Sequence, residues 1–288
     1  MMNFKYLLIA PFVVFIFFIS CSSSGNENLT IWYQDLDGDG LGNPDVTIES
    51  ENQPDGYVAN NDDTNDNIAA TDYDISSILS KFIGTGLSYE VNGNTVTFTT
   101  QDLPDHTSPY WPVSNSLYED YNGTNSNWNQ NPNEIATQNV VLTITLNPEE
   151  ATTHQATNLG PIGISRNGVV FFNQYAGPDQ PLTSEINSFD QWLGHPTGMD
   201  MYHYHIEPTY LTQEFGEDAF LGLLADGFPV YGPVENGETI TNNDLDAYHG
   251  HTSATADFPE GIYHYHVTNQ DPYINGNGYF GTPGNISN

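Results

Sequence analysis

The chain has a single cysteine, Cys21, so no disulfide can form within it and no thiolate-rich metal cluster can be built. Basic residues are nearly as scarce: Lys5, Lys81 and Arg166 stand against 37 Asp and Glu, for a formal charge of -34. Such a surface repels phosphate backbones and anionic head groups, which argues against nucleic acid as a partner. Long apolar runs are missing apart from Leu7 to Ile19, which is too short for a convincing membrane-crossing helix and reads as an export signal behind Lys5. No nucleophile elbow, catalytic cysteine pattern or phosphate loop is present, which disfavours acyl transfer and nucleotide chemistry.

What is present is aromatic and β-branched. Phe, Trp and Tyr make up 13% of the chain, and Val, Ile and Thr recur between Gly, Pro, Asn and Asp clusters, the usage of short strands joined by turns. Strands are expected at Leu29 to Tyr33, Val140 to Leu146, Ile162 to Ile164 and Val169 to Phe172, with a hairpin of Leu87 to Val91 and Thr95 to Phe98 about Asn92-Gly93-Asn94. Ile75 to Phe82 reads as a short helix. Thr212 to Leu224 is ambiguous, with room for a second, and the Asn-, Ser- and Pro-rich stretch Tyr110 to Asn139 reads as a long surface loop.

The apolar run ends at Phe18-Ile19-Ser20-Cys21 and a polar Ser22-Ser23-Ser24-Gly25 follows, a pattern that resembles a bacterial lipobox. It implies a signal peptide over 1–20, lipidation at Cys21, a tether over 21–28, and an exported lipoprotein held on a membrane facing the periplasm or the cell surface, with the outer membrane expected. Acyl chains at about 0.8 kcal/mol per buried methylene anchor such a terminus.

Residues 29–71 form a separate acidic unit. Asp35, Asp37 and Asp39 alternate with Gly38 and Gly40, so three carboxylates can converge on one hard cation while the backbone bends around it. Val46 stands where an EF-hand needs its closing Glu, so that motif is excluded. The run from Tyr33 to Gly42, then Pro54-Asp55-Gly56-Tyr57-Val58 and Asp63-Thr64-Asn65-Asp66, resembles the short metal-binding repeats of bacterial surface proteins that are similar to thrombospondin type 3 repeats. The resemblance implies calcium at Asp35, Asp37, Asp39, Asp63 and Asp66.

The histidines carry the strongest pattern. Seven of nine, at 195, 203, 205, 249, 251, 264 and 266, fall near the C-terminus, and six of them form His-x-His pairs. Residues two apart on a strand share a face, so His203 and His205 project together, as do His264 and His266, with tyrosines opposite. The run from Phe189 through Asp190 to His195 is echoed by Leu245 through Asp246 to His251, and each copy then reaches Tyr-His-Tyr-His at 202–205 and 263–266. Adding His195 and His251 gives three imidazoles per copy, forming two sites or one shared site for a transition metal, zinc or copper, or else a buried polar network. Asp190 and Asp246 are placed to hydrogen-bond a ring nitrogen or to serve as oxygen ligands. His154 belongs to no motif, and His249 has Leu193 as its counterpart.

Residues 73–288 thus read as one domain, and most of 85–288 resembles the YHYH domain family. The likeness is supported by Leu103-Pro104-Asp105-His106, Gly160-Pro161-Ile162-Gly163, Asn167 to Asn173, Ala225 to Pro233 and Pro272-Tyr273. It implies a functional face of His106, His195, His203, His205, His251, His264 and His266 with Asp190, Asp226 and Asp246. Relatives carry cysteine near the positions of Trp192, Tyr248 and Asn277, so any disulfide they imply is lost here. The expected fold class is all-β, a β-sandwich or barrel-like domain with long loops and an internal pseudo-repeat, preceded by a small calcium-binding module.

Three functions follow from this reading. An extracytoplasmic metal-binding protein needs only imidazoles at strand spacing. A metal-dependent hydrolase or oxidoreductase needs in addition an open ligand position and a base such as Asp190 or Asp226. A module binding a glycan or another small molecule would use Tyr110, Trp111 and Trp128 as exposed stacking platforms.

Overall fold

The computed structural model describes residues 29–36, 38, 40–61, 63 and 73–288. The expected export signal, Cys21 and the tether lie outside the described residues, as do Asp37, Asp39 and Asp66 of the acidic unit. Among the described residues no helix is long and apolar enough to cross a membrane.

The acidic unit makes a small antiparallel sheet ordered β2-β1-β3, from β1 (Thr30–Gln34), β2 (Asn43–Ser50) and β3 (Tyr57–Val58). Asp35 organises the turn after β1: its carboxylate accepts the Gly38 amide at 2.8 Å and the Gly40 amide at 3.2 Å. Both glycines hold positive φ, which explains their alternation with aspartate. Asp63 is buried, and its amide donates to the Gly42 carbonyl at 3.2 Å.

Next comes a four-stranded antiparallel sheet of β4 (Leu87–Asn92), β5 (Thr95–Thr100), β6 (Val140–Thr145) and the C-terminal β19 (Asn285–Ser287), ordered β19-β6-β5-β4. Alternation builds it. Val96, Phe98, Leu142 and Ile144 point inward and are buried, while the Thr97 and Thr143 hydroxyls meet at 2.9 Å on the other face.

The larger sheet has eight strands: β7 (Pro161–Ser165), β8 (Val170–Phe172), β11 (Gly194–Pro196), β12 (Tyr202–Tyr204), β13 (Phe220–Leu224), β14 (Pro229–Tyr231), β17 (Gly250–Ser253) and β18 (Ile262–His266). Their order is β11-β12-β8-β7-β13-β14-β18-β17. Two small hairpins stand apart from it, β9 (Tyr175–Ala176) with β10 (Gln180–Pro181), and β15 (Val234–Glu235) with β16 (Glu238–Thr239).

That order reads the same from both edges. In each half a hairpin (β7-β8 or β13-β14) pairs through its second strand, in parallel, with the Tyr-His-Tyr-His strand, which pairs in turn with the edge strand bearing Gly-His. The halves join where β7 meets β13 antiparallel, with Ile164 opposite Leu223. These two residues hold the same place after Gly163 and Gly222, so a local twofold axis passes through their pair, normal to the sheet. Equivalent side chains of the halves therefore lie on one face.

The tyrosine face meets the four-stranded sheet. Tyr202, Tyr204, Tyr263 and Tyr265 share one core with Val96, Phe98, Leu142, Ile144, Ile164 and Leu223, where each fully buried aliphatic or Phe side chain contributes about 1.5–3 kcal/mol. A 3₁₀ helix at Ile75–Lys81 takes the place expected for the first helix, and Phe82 behind it packs on Phe98 and Phe220. The ambiguous segment resolves into α1 (Thr209–Phe215) followed by β13.

The stretch 110–139 has no helix or strand, yet it is not a surface loop throughout: Tyr110, Trp111 and Ile135 are buried in the core. Trp128 stacks on Tyr121 with ring centroids 4.2 Å apart. The expected stacking platform of Tyr110, Trp111 and Trp128 is therefore absent as an exposed surface. The reason is energetic, since Tyr110 and Trp111 remove more apolar area from water inside than outside, and their polar atoms find partners in the Ser188 and His106 carbonyls.

Candidate functional site

The first histidine cluster follows from strand geometry. His203 lies on β12 directly opposite His195 on β11, and His205 follows two residues later on the same face. The Nε2 atoms of His195 and His203 are 3.1 Å apart and those of His203 and His205 2.9 Å apart, with all three rings buried. Gly194 makes this possible, because a Cβ there would run into the Tyr202 ring. Leu193 before it adopts the left-handed region at φ 64° to turn the chain, as His249 does at φ 77° in the second copy.

The outer nitrogens fix the protonation of the inner ones. His203 Nδ1 lies 3.1 Å from the Met201 carbonyl and His205 Nδ1 2.6 Å from the Asn173 carbonyl. His195 Nδ1 lies 2.7 Å from Ser188 Oγ, whose own hydrogen goes to the Glu185 carbonyl. The two carbonyls can only accept, so His203 and His205 carry their protons on Nδ1 and turn bare Nε2 lone pairs toward each other, whereas His195 Nδ1 also faces the Asn131 amide nitrogen, a donor, at 3.4 Å. Burial and neighbouring imidazoles hold His195 and His203 well below the usual imidazole range, and burial holds His205 down to about 4.

The second cluster repeats the pattern. His251 on β17 is opposite His264 on β18, and the Nε2 atoms of His264 and His266 are 3.1 Å apart. His264 Nδ1 lies 2.9 Å from the Ile262 carbonyl, and His266 Nδ1 2.7 Å from that of Gly232. Gly250 lies under the Tyr263 ring as Gly194 lies under that of Tyr202. His266 is again held down to about 4 by burial, with the Gly232 carbonyl opposing the shift. The sequence left one shared site or two; five strand spacings separate β12 from β18, on the order of 20 Å, so the clusters are two separate sites.

A carboxylate joins each cluster, and neither was foreseen. Glu185 Oε1 is 3.4 Å from His195 Nε2, and its Oε2 is buried without a hydrogen-bond partner. Glu235 spans two rings, with Oε1 3.3 Å from His264 Nε2 and Oε2 3.4 Å from His251 Nε2. No hydrogen bond to His251 Nε2 forms at that geometry. Burial alone would raise the Glu235 carboxyl, but the Ser253 hydroxyl and the imidazoles facing it outweigh that and hold it below its ordinary range. Glu185 is instead raised by burial. One ligand atom from each of His195, His203 and His205, or from each of Glu235, His251, His264 and His266, falls within 4.8 Å of the rest of its set.

The remaining expected residues lie elsewhere. Asp190, Asp226 and Asp246 bond tyrosines on the other face: Tyr202 donates to Asp190 at 2.9 Å, Tyr265 to Asp226 at 2.6 Å, and Tyr263 to Asp246 at 3.0 Å. They serve the tyrosine face because tyrosine and histidine alternate along one strand, and a partner of one cannot reach the other. Asp190 and Asp246 also cap the turns into β11 and β17, each accepting two backbone amides. Burial raises Asp190 and Asp226 to about 6. His106 sits on that face too, its Nε2 2.9 Å from the Tyr204 hydroxyl. His249 pairs with Thr268 at 3.1 Å, and His154 stacks on Tyr248.

The repeat is also longer than the histidine motif shows. Asn167-Gly168 and Asp226-Gly227 occupy the same turn in the two halves, and their side chains contact equivalent hydroxyls, Tyr204 at 3.4 Å and Tyr265 at 2.6 Å. Among known proteins, the family model described as YHYH protein matches residues 141–241 and 234–278. No curated protein and no solved structure matches the chain. The part of the chain that carries the duplicated strands and both histidine clusters is a YHYH domain.

Proposed function

We propose that this chain is an extracytoplasmic, lipid-anchored protein that binds two transition-metal ions, zinc or copper, one at each histidine cluster. The observation that carries this reading is the convergence of Nε2 atoms at 2.9–3.1 Å, with the Nδ1 atoms of His203, His205, His264 and His266 each tied to a backbone carbonyl. Lone pairs at that distance repel unless a positive charge sits among them, and burial disfavours a proton in that place. A zinc at about 2.0–2.1 Å from tetrahedral nitrogens sets their mutual spacing at about 3.3–3.4 Å, close to what the rings offer. The orphaned Glu185 Oε2 and His251 Nε2 are what a cation would satisfy. His195, His203 and His205 with Glu185 would hold one ion, and His251, His264 and His266 with Glu235 the other. The bound metal would supply Lewis acidity or, as copper, redox chemistry.

The anchor at Cys21 and calcium at Asp35, Asp37, Asp39, Asp63 and Asp66 complete the reading, supported by sequence pattern. Calorimetric titration of the full chain, with Asp35→Asn as control, checks the calcium site; heat unchanged by the substitution removes it. Elemental analysis of protein purified without a histidine tag tests the main claim. About two ions per chain are expected. His203→Ala and His264→Ala should each lose one, and the double variant both. Equal metal content in all four proteins defeats the assignment.

A further inference from the structure

The two clusters differ in how solvent reaches them. His264 and His266 are as buried as His195, His203 and His205, all 2% exposed or less, but the His251 side chain is 23% exposed. The whole first triad lies under a cover formed by residues 125–131 and 185–188. That cover is pinned: the Asn129 amide donates to the Asn187 carbonyl at 2.8 Å, the Asn131 side chain to the Pro196 carbonyl at 3.0 Å, and Asn125 to Asn187 at 3.2 Å. Tyr110 ties it from beneath through the Ser188 carbonyl at 2.5 Å. Access to the first cluster requires several of these bonds to open together.

The second cluster borders a cleft of about 460 Å³ whose wall includes Asp218, Tyr231, Glu235, Asn236, Thr255 and His266. None of the described residues lining it is Lys or Arg. Lys81 is paired with Asp257 at 2.5 Å and Arg166 lies over the Phe215 ring. Glu235 rides on the β15-β16 hairpin, which pairs only with itself. A wall of carboxylate, hydroxyl and amide groups suits a hydrated divalent cation and repels anions.

We infer that this cleft is the access route of a hydrated divalent cation, so that the second cluster holds an exchangeable ion and the first a trapped one. The inference rests on the metal-binding reading above. An ion arriving through the cleft meets Asp218 and Glu235 and passes to His266, His264 and His251. An ion in the first cluster leaves only when the pinned cover opens.

Transfer of zinc from the loaded full chain to a strong colorimetric chelator tests this. Two phases of one ion each are expected, separated on the order of 10-fold or more in rate. His264→Ala should abolish the fast phase and His203→Ala the slow one. Asp218→Asn, which removes no ligand, should keep two ions but slow reloading of the fast site several-fold at low salt, an effect that salt erases. Two ions that exchange at one rate, or a fast phase lost in His203→Ala, overturn this inference and leave the metal reading intact. A chain that holds no zinc overturns both.

Discussion

The two halves of the large sheet present the same three imidazoles from the same strand positions, yet they recruit their carboxylates from different places. Glu235 lies in the β15-β16 hairpin, whereas Glu185 lies in a 3₁₀ turn at Glu185–Ser188. The strand equivalent to Glu235 in the first half carries Ala176. The scaffold feature common to both halves is therefore a rigid pair of strands that aims histidines inward. The feature that has diverged is the surroundings, a pinned cover over the first cluster and a cleft beside the second that reaches Glu235 and His266. Conserved geometry on strands with divergence in loops is how one domain can hold two ions in different states of access.

The largest effect expected is from metal removal. A chain stripped by chelator should lose about 4 kcal/mol of stability relative to one held at zinc near a thousandfold above its dissociation constant, per site. In thermal unfolding, His203→Ala and His264→Ala should each remove part of that zinc-dependent gain. A melting temperature indifferent to zinc in the unsubstituted chain would break the equivalence of the halves and the site assignment with it.

Next in size, Gly194→Ala and Gly250→Ala should each cost about 1–3 kcal/mol in urea unfolding, because the new methyl meets the ring of Tyr202 or Tyr263. Similar costs would show that both turns are built alike. A larger cost at Gly250 would trace to the His264 carbonyl, which a Cβ there would also meet.

A smaller effect separates the halves through their aspartates. Asp190 is buried and raised to about 6, whereas Asp246 is exposed. A carboxyl whose folded pKa lies above its unfolded value favours the folded state below the unfolded pKa and loses that contribution as pH rises through the folded one. Asp190→Asn should therefore gain on the parent chain between about pH 4 and 6, by on the order of 2 kcal/mol. Chemical unfolding across that pH range reads it.

Much of this was legible in the residues. The Val-Thr-Phe alternation of β5 and the Tyr-His alternation of β12 and β18 each commit one face to the core, so the histidines had to share the other. The glutamates were not legible, since they stand at unequal distances before His195 and His251 and are delivered by irregular chain. The place of the aspartates against tyrosine hydroxyls was not legible, because spacing along the sequence does not say which face a turn residue meets. Composition concealed Tyr110, Trp111 and Ile135, which an Asn-rich stretch carries into the core. The first half of the repeat was hidden because Arg166-Asn167-Gly168 and Ala225-Asp226-Gly227 share little beyond their turn.

The most direct test is anomalous scattering at the zinc edge from crystals of the full chain grown with zinc. Two peaks are expected, one within bonding distance of the Nε2 atoms of His195, His203 and His205, and one at those of His251, His264 and His266. Density with no peak at either triad, or rings turned so that Nε2 meets a protein donor of its own, would contradict the account.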